Sequence, residues 1–168
     1  ELVQRGYYEY DLMSALWTYV RNDSVIKYEV YDADSIIDGF IYEYYDNDKK
    51  KADAVFLENG KRDQKWYTYF EEGQDSTISV YDGGKRTGAW YVFYDSTFEA
   101  ANETNYENNL KHGDYREWYI DEGQKVEGYY EEGKKHLLWA FWDERGYQRF
   151  EEWRMGVLYD TFEYEYYE

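Results

Sequence analysis

The 168-residue chain carries 37 acidic residues against 19 lysines and arginines, which gives a formal net charge of −18 at pH 7. That charge repels phosphate backbones and anionic lipid headgroups, so nucleic acid and membrane surfaces are disfavoured as partners. The absence of cysteine excludes a disulfide framework and thiolate metal sites. Because aromatic residues make up 23% of the chain, we expect a folded protein despite a mean hydropathy of −1.03.

Repetition along the chain is the strongest signal in the sequence. Two degenerate copies, 8–30 and 31–56, come first, and a third covers 153–168. Between them lie four clear copies, at 57–80, 81–105, 106–129 and 130–152. Each clear copy opens with a similar segment: Leu57–Trp66, Tyr81–Trp90, Tyr106–Tyr115 and Tyr130–Trp139. We therefore predict a single repeat domain over 1–168, with about seven repeats of roughly 24 residues.

Each repeat is predicted to contain two short strands and two tight turns. Segments between turn signals are short and rich in Tyr, Trp, Phe, Val and Thr, which favours strand over helix. Glycine in the turns suits positive φ, and Asn108–Asn109 and 46–48 offer Asn or Asp instead. With no proline to interrupt strand pairing, the sequence predicts an all-β, elongated, single-layer antiparallel β-hairpin repeat array.

Three short motifs stand out in the repeats: Gly-x-Trp-x-x-Phe-Tyr at Gly88–Tyr94, Lys-His-Gly at Lys111–Gly113, and the tyrosine-acid-x-Gly-Lys openings. These motifs resemble MORN-type repeats, most closely those of the bacterial YwqK-family antitoxins. The resemblance covers nearly the whole chain and implies a β-hairpin repeat fold and a protein that neutralises or accompanies another protein. The chain departs from the pattern at Ala15, Gln64 and Leu137, which stand where glycine is expected. These departures leave the local chain geometry open there.

The segments Lys65–Phe70 and Ala89–Tyr94 both contain a Trp-Tyr-x-aromatic run. In this they resemble the aromatic cell-wall-binding repeats that bind choline, although the period is longer here and the Gly-Trp opening is absent. This likeness implies an exported module that binds cell-surface glycan or a choline-like ligand. We expect a bacterial cytoplasmic protein if the antitoxin resemblance holds, and a periplasmic or surface protein if Glu1 follows a removed signal.

The sequence offers no located catalytic machinery, so we expect no enzyme, no cofactor and no metal site. His112 and His136 occupy the same position in consecutive repeats, where other copies have Thr87 and Asp63, which indicates a turn or solvent role. No nucleophile elbow or phosphate loop is present. Carboxylates are abundant enough to pair anywhere, and a glycosidase-type pair has no identifiable position.

Aromatic residues alternate between two faces of the predicted strands. One ladder is expected to serve mainly as core: Trp17, Trp66, Trp90, Tyr115 and Trp139. Tyr and Trp are enriched at binding hot spots, so the opposite face is the candidate interaction surface. Its members are Tyr67, Tyr69, Tyr91, Phe93, Trp118 and Trp142.

Charge placement predicts one mixed edge and one acidic edge of the array. Basic pairs recur beside one turn, at Lys61–Arg62, Lys85–Arg86 and Lys134–Lys135, whereas the other turn is mostly acidic. The acidic edge suits a basic protein partner, although solubility explains it equally well. The sequence thus favours a non-enzymatic protein-binding scaffold, antitoxin-like or immunity-like, without nucleic-acid binding or membrane insertion. The alternative is the exported module that binds glycan or a choline-like ligand.

Overall fold

A computed structural model describes residues 2–45, 47–57, 61–121 and 123–164, which form fifteen β-strands and no helix. The predicted all-β fold of antiparallel hairpins in a single layer is confirmed, because the strands pair antiparallel in chain order, with β8 beside β7. Within these described ranges, no helix is long and apolar enough to cross a membrane.

The chain divides into two compact units, formed by 1–75 with 80–85 and by 76–79 with 86–168. Unit 1 contains β1 (Leu2–Glu9), β2 (Leu12–Arg21), β3 (Ser24–Asp32), β4 (Ser35–Tyr44), β5 (Lys50–Leu57) and β6 (Lys61–Tyr69). Residues of both units lie in β7 (Asp75–Asp82) and β8 (Lys85–Arg86). Unit 2 contains β9 (Gly88–Phe93), β10 (Ala100–Glu107), β11 (Leu110–Trp118), β12 (Gln124–Glu131), β13 (Lys134–Trp142), β14 (Gln148–Arg154) and β15 (Val157–Tyr164).

The strands are of two kinds: a first strand leads into an opening residue and its turn, and a second strand follows that turn. The first strands are β1, β3, β5, β7, β10, β12 and β14. The second strands are β2, β4, β6, β9, β11, β13 and β15, with β8 at the start of the fourth. First and second strands therefore alternate along the chain.

The turn between a first strand and the second strand that follows it has left-handed backbone at both central residues. Gly83 and Gly84 have φ of 53° and 86°, and Asn108 and Asn109 have 48° and 74°. Positive φ at both positions gives a hairpin turn whose twist matches the strands, as the glycine and asparagine pattern predicted. Residues 46 and 58–60, which belong to other predicted turns, lie outside the described residues.

Each of these turns is also bonded to the repeat before it. The N–H of the second turn residue donates to a carbonyl near the start of the preceding second strand. The N···O distances are 2.7 Å for Gly84 to Arg62, 3.0 Å for Asn109 to Arg86, 2.7 Å for Gly133 to Lys111 and 2.8 Å for Gly156 to Lys135. Successive repeats are thus joined at the turn as well as through strand pairing.

A bulge in the second strand keeps left-handed backbone even where glycine is missing. Gly113 has φ of 100°, while Ala15, Gln64 and Leu137 have 56°, 57° and 62°. The structure thus resolves the doubt at these three departures from the glycine pattern. A side chain in this conformation is strained, because its Cβ approaches the following carbonyl oxygen.

Where aspartate stands at the position of Gly113 in its repeat, the second strand forms a different bulge. The Oδ1 of Asp38 accepts the next N–H, that of Gly39, at 2.8 Å, and Asp160 does the same at 2.8 Å from Thr161. Beside each aspartate the register shifts between neighbouring pairs, as from Glu152↔Asp160 to Trp153↔Leu158. β4 and β15 therefore form a common subtype of second strand.

In unit 2 the most buried side chain is a tryptophan seated over a glycine. Trp139 is 1% exposed, and its indole Nε1–H donates to the Tyr129 carbonyl at 3.2 Å. A Cβ on Gly128 would lie 2.2 Å from Trp139 Cδ2, so only glycine leaves room for the ring. Tyr130 packs edge-on against the indole, with the ring centroids 4.9 Å apart.

Unit 1 repeats this arrangement residue for residue. Trp17 is 6% exposed and donates to the Tyr7 carbonyl at 3.2 Å, and a Cβ on Gly6 would lie 2.0 Å from Trp17 Cδ2. Tyr8 meets the indole edge-on at 4.9 Å. We call Gly6, Tyr7, Tyr8 and Trp17 the unit 1 seat, and Gly128, Tyr129, Tyr130 and Trp139 the unit 2 seat.

Candidate functional site

The six aromatic residues of the predicted binding face divide between the two units. Tyr67 and Tyr69 lie in unit 1, and Tyr91, Phe93, Trp118 and Trp142 lie in unit 2. All six are half-buried rather than fully exposed. Part of each ring surface therefore already packs within the protein.

Tyr67 and Tyr69 stack on the same face of β6, with their ring centroids 6.4 Å apart. The Tyr69 hydroxyl donates to Asp53 Oδ2 at 2.8 Å, and Lys50 Nζ lies 3.4 Å from the same oxygen. Burial and the adjacent Asp53 carboxylate raise the pKa of the Tyr69 phenol. The polar tip of Tyr69 thus has a partner, and the ring faces supply the remaining contact surface.

In unit 2 several ion pairs lie beside Tyr91. The Tyr91 ring stacks with the Phe93 ring, and their centroids are 6.3 Å apart. Glu103 pairs across the strands with Tyr91, and burial followed by the Glu103 charge raises the pKa of the tyrosine. Arg116 Nη1 lies 3.1 Å from Glu103, and Arg116 Nε lies 3.5 Å from Glu127. The aromatic face of unit 2 therefore carries ion-paired side chains next to its rings.

Trp118 and Trp142 lie on the same face of unit 2 as Tyr91 and Phe93. This follows from the alternation of side chains along each strand and from the strand register, which pairs Trp118 with Gln124 and Trp142 with Gln148. Their backbone carbonyls accept phenol hydrogen bonds from the preceding repeats: Tyr94 to Trp118 at 2.7 Å and Tyr119 to Trp142 at 2.8 Å. These bonds fix successive repeats to one another at the end of the sheet that carries the second turns.

The ladder of rings on the opposite face has two roles: some of its rings are buried, and several make cation–π contacts with lysines and arginines of the chain. Trp17 and Trp139 are buried, whereas Trp66, Trp90 and Tyr115 are half-buried. In four consecutive repeats a cation lies over the ladder ring of its own repeat and over the opening ring of the next. The groups are Arg62 with Trp66 and Tyr81, Arg86 with Trp90 and Tyr106, Lys111 with Tyr115 and Tyr130, and Lys135 with Trp139 and Trp153.

These contacts bear on the choline-like alternative. Lys135 Nζ lies 4.3 Å from the Trp139 ring centroid and 4.8 Å from that of Trp153. A quaternary ammonium group would need the same ring faces. On this ladder such a ligand would have to displace a cation that the chain itself supplies.

A buried carboxylate accompanies each tryptophan seat on the next strand. Glu151 is 8% exposed, accepts the Trp153 indole N–H at 2.8 Å, and pairs with Arg149 and with Lys135, whose Nζ lies 3.6 Å away. Burial alone would raise the pKa of Glu151, but the indole hydrogen bond and the two cations outweigh it and lower the pKa. Glu151 is therefore a paired structural anion.

Unit 1 has the matching carboxylate at Glu29, which is 7% exposed and lies opposite Trp17. Lys27 Nζ lies 2.8 Å from one of its oxygens, and the Tyr31 hydroxyl donates to the other at 2.9 Å. Since both buried carboxylates are fully engaged by neighbouring side chains, neither has the arrangement of an available general acid or base.

The histidines take part in turn contacts. His136 Nδ1 accepts the Met155 N–H at 3.4 Å, and Asp63 Oδ1, at the equivalent position, accepts the Gly83 N–H at 3.0 Å. His112 Nε2 lies 3.6 Å from a Glu107 carboxylate oxygen. Over the part of the chain that the structure describes, no group of three or more His, Asp or Glu side chains is placed to hold a metal ion.

The second turns of unit 2 form the acidic edge. Asp95, Asp121 and Glu144 are exposed in three successive turns, while Asp143 is paired with Arg145 at 3.1 Å. Two strands separate consecutive turns of this kind, so their carboxylates recur about every 10 Å. We call Asp95, Asp121 and Glu144 the acidic row.

A cleft of about 440 Å³ adjoins this edge of unit 2. Its lining includes three aromatic residues, Tyr119, Phe141 and Tyr147, and two acidic residues, Asp143 and Glu163. Two arginines line it as well: Arg145 lies 5.0 Å from the Tyr147 ring centroid and Arg149 lies 4.4 Å from that of Phe141. Rings combined with hydrogen-bonding groups suit a small ligand with both apolar and polar faces.

Comparison with known proteins adds no relative: the chain matches no protein-family model, and no curated protein matches it at a significant level of sequence similarity. Any assignment of function therefore depends on the geometry described above.

Proposed function

We propose that this protein is a non-enzymatic, MORN-like repeat scaffold that binds a basic protein partner, as an antitoxin or immunity protein does. The acidic row of unit 2 is the observation that carries this proposal. It offers exposed carboxylates in successive turns, which attract a partner with a basic surface and align it along the edge.

The placement of the chain's own cations supports this use of the edge. Arg86, Lys111 and Lys135 begin the second strands, at the end of the sheet away from the acidic row, and each lies over aromatic rings. Arg145 stands among the acidic turns and is paired with Asp143. Lys125 and Arg149, which follow the acidic turns on β12 and β14, are likewise paired with Glu117 and Glu151, so these cations are engaged by carboxylates outside the row.

The aromatic face supplies the apolar part of the proposed contact. Tyr91, Phe93, Trp118 and Trp142 lie on strands that run into the same second turns, and all four retain exposed ring surface. Partly exposed Tyr and Trp beside a charged rim is a composition typical of protein interfaces. We propose that the partner contacts these rings as well as the acidic row.

Affinity capture with the complete chain as bait tests the proposal. Captured proteins are identified by mass spectrometry at low and at high salt, and the bait is compared with a triple variant. That variant carries Asp95→Asn, Asp121→Asn and Glu144→Gln. We expect a stoichiometric basic protein that salt releases and that the variant retains at least tenfold less well.

A matched control neutralises three carboxylates at the opposite edge of unit 2. It carries Glu107→Gln, Glu131→Gln and Glu132→Gln, and therefore has the same net charge as the acidic-row variant. Capture by this control should equal that of the original chain. Equal loss in both variants would show a response to net charge alone and would overturn the role of the acidic row.

The cleft of unit 2 favours the second candidate function, recognition of cell-surface glycan. Aromatic rings beside carboxylates can stack on a sugar and accept its hydroxyl hydrogen bonds. Retention on purified cell-wall glycan, abolished by Tyr147→Ala at an exposed ring of the cleft and unaffected by the acidic-row variant, would support it. Capture of a basic protein without any glycan retention would favour the scaffold instead.

A further inference from the structure

Unit 1 contains a cleft that corresponds, strand for strand, to the cleft of unit 2. It has a volume of about 420 Å³, and its lining includes Tyr19, Lys27 and Ile41. The register of β2, β3 and β4 places these three residues side by side in a row, one on each strand. We call this space the unit 1 cleft. Its volume lies within the range of about 300 to 1,000 Å³ that is usual for small-molecule sites.

The same register forms the unit 2 cleft from a row of Phe141, Arg149 and Glu163, on β13, β14 and β15. In both rows the central cation lies over the ring beside it. Lys27 Nζ is 4.5 Å from the Tyr19 ring centroid, and Arg149 Cζ is 4.4 Å from that of Phe141. The two clefts therefore share one backbone frame, and the side chains on that frame determine what each cleft can bind.

The charges on this frame differ between the two clefts at two positions. Arg21 and Asp143 each stand two residues after the ring of the row. Ile41 and Glu163 each pair with the central cation in the same register. Arg21 is exposed at the last position of β2 and lines the unit 1 cleft. At these two positions the unit 1 cleft has one cation and no carboxylate, whereas the unit 2 cleft has two carboxylates.

The other cations that line the unit 1 cleft lie near carboxylates. Lys27 Nζ is 2.8 Å from Glu29 Oε1. Lys51 Nζ is 4.0 Å from Oε2 of Glu43, which also lines the cleft. Arg21 therefore supplies the excess positive charge of the cleft. This local excess stands out because acidic residues outnumber lysines and arginines by 37 to 19 in the whole chain.

We propose that the unit 1 cleft binds a small organic monoanion, a carboxylate attached to an apolar ring. The planar guanidinium of Arg21 can donate two parallel hydrogen bonds to a carboxylate. Tyr19 and Ile41 offer apolar surface for the ring, and a single excess cation matches a monoanion better than a doubly charged phosphate monoester. Burial and the adjacent Glu29 carboxylate raise the pKa of the Tyr19 phenol, so the phenol stays uncharged and does not repel the anion.

Equilibrium dialysis of the complete chain against 2-naphthoate, at a salt concentration that screens the net charge, measures this binding. We expect one bound molecule per chain, because Asp143 and Glu163 offset the two arginines of the unit 2 cleft. The uncharged 2-naphthamide has the same ring, and acetate has the same charge without the ring. Each should bind roughly tenfold more weakly or worse.

Three outcomes of the dialysis would overturn the proposal. The first is an absence of 2-naphthoate binding, and the second is equal affinity for 2-naphthoate and 2-naphthamide. The third is tighter binding of 2-naphthyl phosphate, which would show that the cleft prefers a phosphate monoester to a carboxylate.

A matched pair of variants locates the site. Arg21→Gln removes the guanidinium of the cleft. Arg5→Gln removes one from β1, where the alternation of side chains puts Arg5 on the face opposite to Gln4, which lines the cleft. Both arginines are exposed, so both variants should keep the melting temperature of the original chain. Arg21→Gln should weaken 2-naphthoate binding about tenfold, and Arg5→Gln should leave it unchanged. Equal loss in both would show a response to net charge and overturn the site.

Further variants test the sign of the charge effect. Ile41→Glu puts the carboxylate of Glu163 on the unit 1 frame and should abolish binding, whereas the uncharged Ile41→Gln should retain most of it. Equal binding by these two variants would contradict recognition of an anion. Asp48 lines an adjoining cleft together with Arg21, so Asp48→Asn removes a competing carboxylate and should tighten binding. The acidic-row variant should bind 2-naphthoate as the original chain does, so this inference and the proposed function can fail separately.

Discussion

The two tryptophan seats have the same internal geometry but different surroundings. In both, the indole donates to a backbone carbonyl at 3.2 Å and a tyrosine ring lies edge-on at 4.9 Å. Tyr8 of the unit 1 seat is nevertheless 56% exposed, whereas Tyr130 of the unit 2 seat is half-buried beneath β11. Local sequence therefore determines the geometry of a seat, and the neighbouring strand determines how deeply it is buried.

The largest expected effect is at the glycine of the unit 2 seat. Gly128→Ala places a methyl group 2.2 Å from an indole that is enclosed on both sides, and overpacking of this kind costs about 3 kcal/mol in unfolding free energy. Gly6→Ala creates a similar clash at 2.0 Å, but β1 is an edge strand that can move outward. We expect a smaller loss there, measured by chemical denaturation.

Gly123→Ala serves as the control for this pair. The nearest atom to its new Cβ is Asp121 Oδ1 at 3.2 Å, which ends an exposed side chain and accepts the Gly123 N–H. That side chain has room to shift by a few tenths of an ångström, so the substitution should change stability little. If Gly6→Ala destabilises the protein as much as Gly128→Ala does, the neighbouring strand contributes nothing to the rigidity of the seat.

An intermediate effect is expected at the buried carboxylate of unit 2. Glu151→Gln removes an anion that accepts an indole hydrogen bond and lies beside two cations, which should cost about 2 kcal/mol at neutral pH. Because the pKa of Glu151 is lowered in the folded state, its contribution is present above the ordinary glutamate pKa of about 4.5 and is lost as the pH falls through the folded value.

Denaturation of the original chain and of Glu151→Gln across pH 2 to 7 measures this contribution. The two stability curves should converge at acid pH and separate as the pH rises. Parallel curves would contradict an ionised, paired Glu151.

The smallest expected effect is a gain in stability at Leu137. Its left-handed φ of 62° is strained for leucine, and the side chain is 54% exposed, so Leu137→Gly relieves strain and loses little burial. After the entropic cost of glycine, the net gain should be about 0.5 kcal/mol. The neighbouring Leu138→Gly, which relieves no such strain, should instead lower the melting temperature.

Much of the fold could be predicted from the sequence, because turn residues and alternating aromatics recur at a fixed period. The glycines and asparagines at 83–84 and 108–109 identified the hairpin turns correctly. The bulges at Ala15, Gln64 and Leu137 were harder to assign, because neighbouring repeats impose a left-handed conformation that these residues do not favour by themselves.

The details of the candidate surfaces depended on packing that the sequence does not display. The basic pair Lys134–Lys135 predicted a mixed edge, but the sequence does not show that Lys135 there lies over the Trp139 ring. The identical 6–9 and 128–131 sequences give no sign that their glycines receive a tryptophan, because this depends on the bulge opposite them. Whether the partner is a basic protein remains a prediction.

The hydrogen bonds that join each turn to the preceding second strand are the same from repeat to repeat, so one repeat can take the place of another. The turns at 108–109 and 132–133 each donate a hydrogen bond to a backbone carbonyl of the repeat before, that of Arg86 and of Lys111. Excision of 106–129 would bring the Gly133 N–H to the Arg86 carbonyl and the Tyr130 ring to the Arg86 guanidinium, with no new kind of contact. Unequal recombination can therefore lengthen or shorten such a gene by whole repeats, wherever in the repeat the crossover falls.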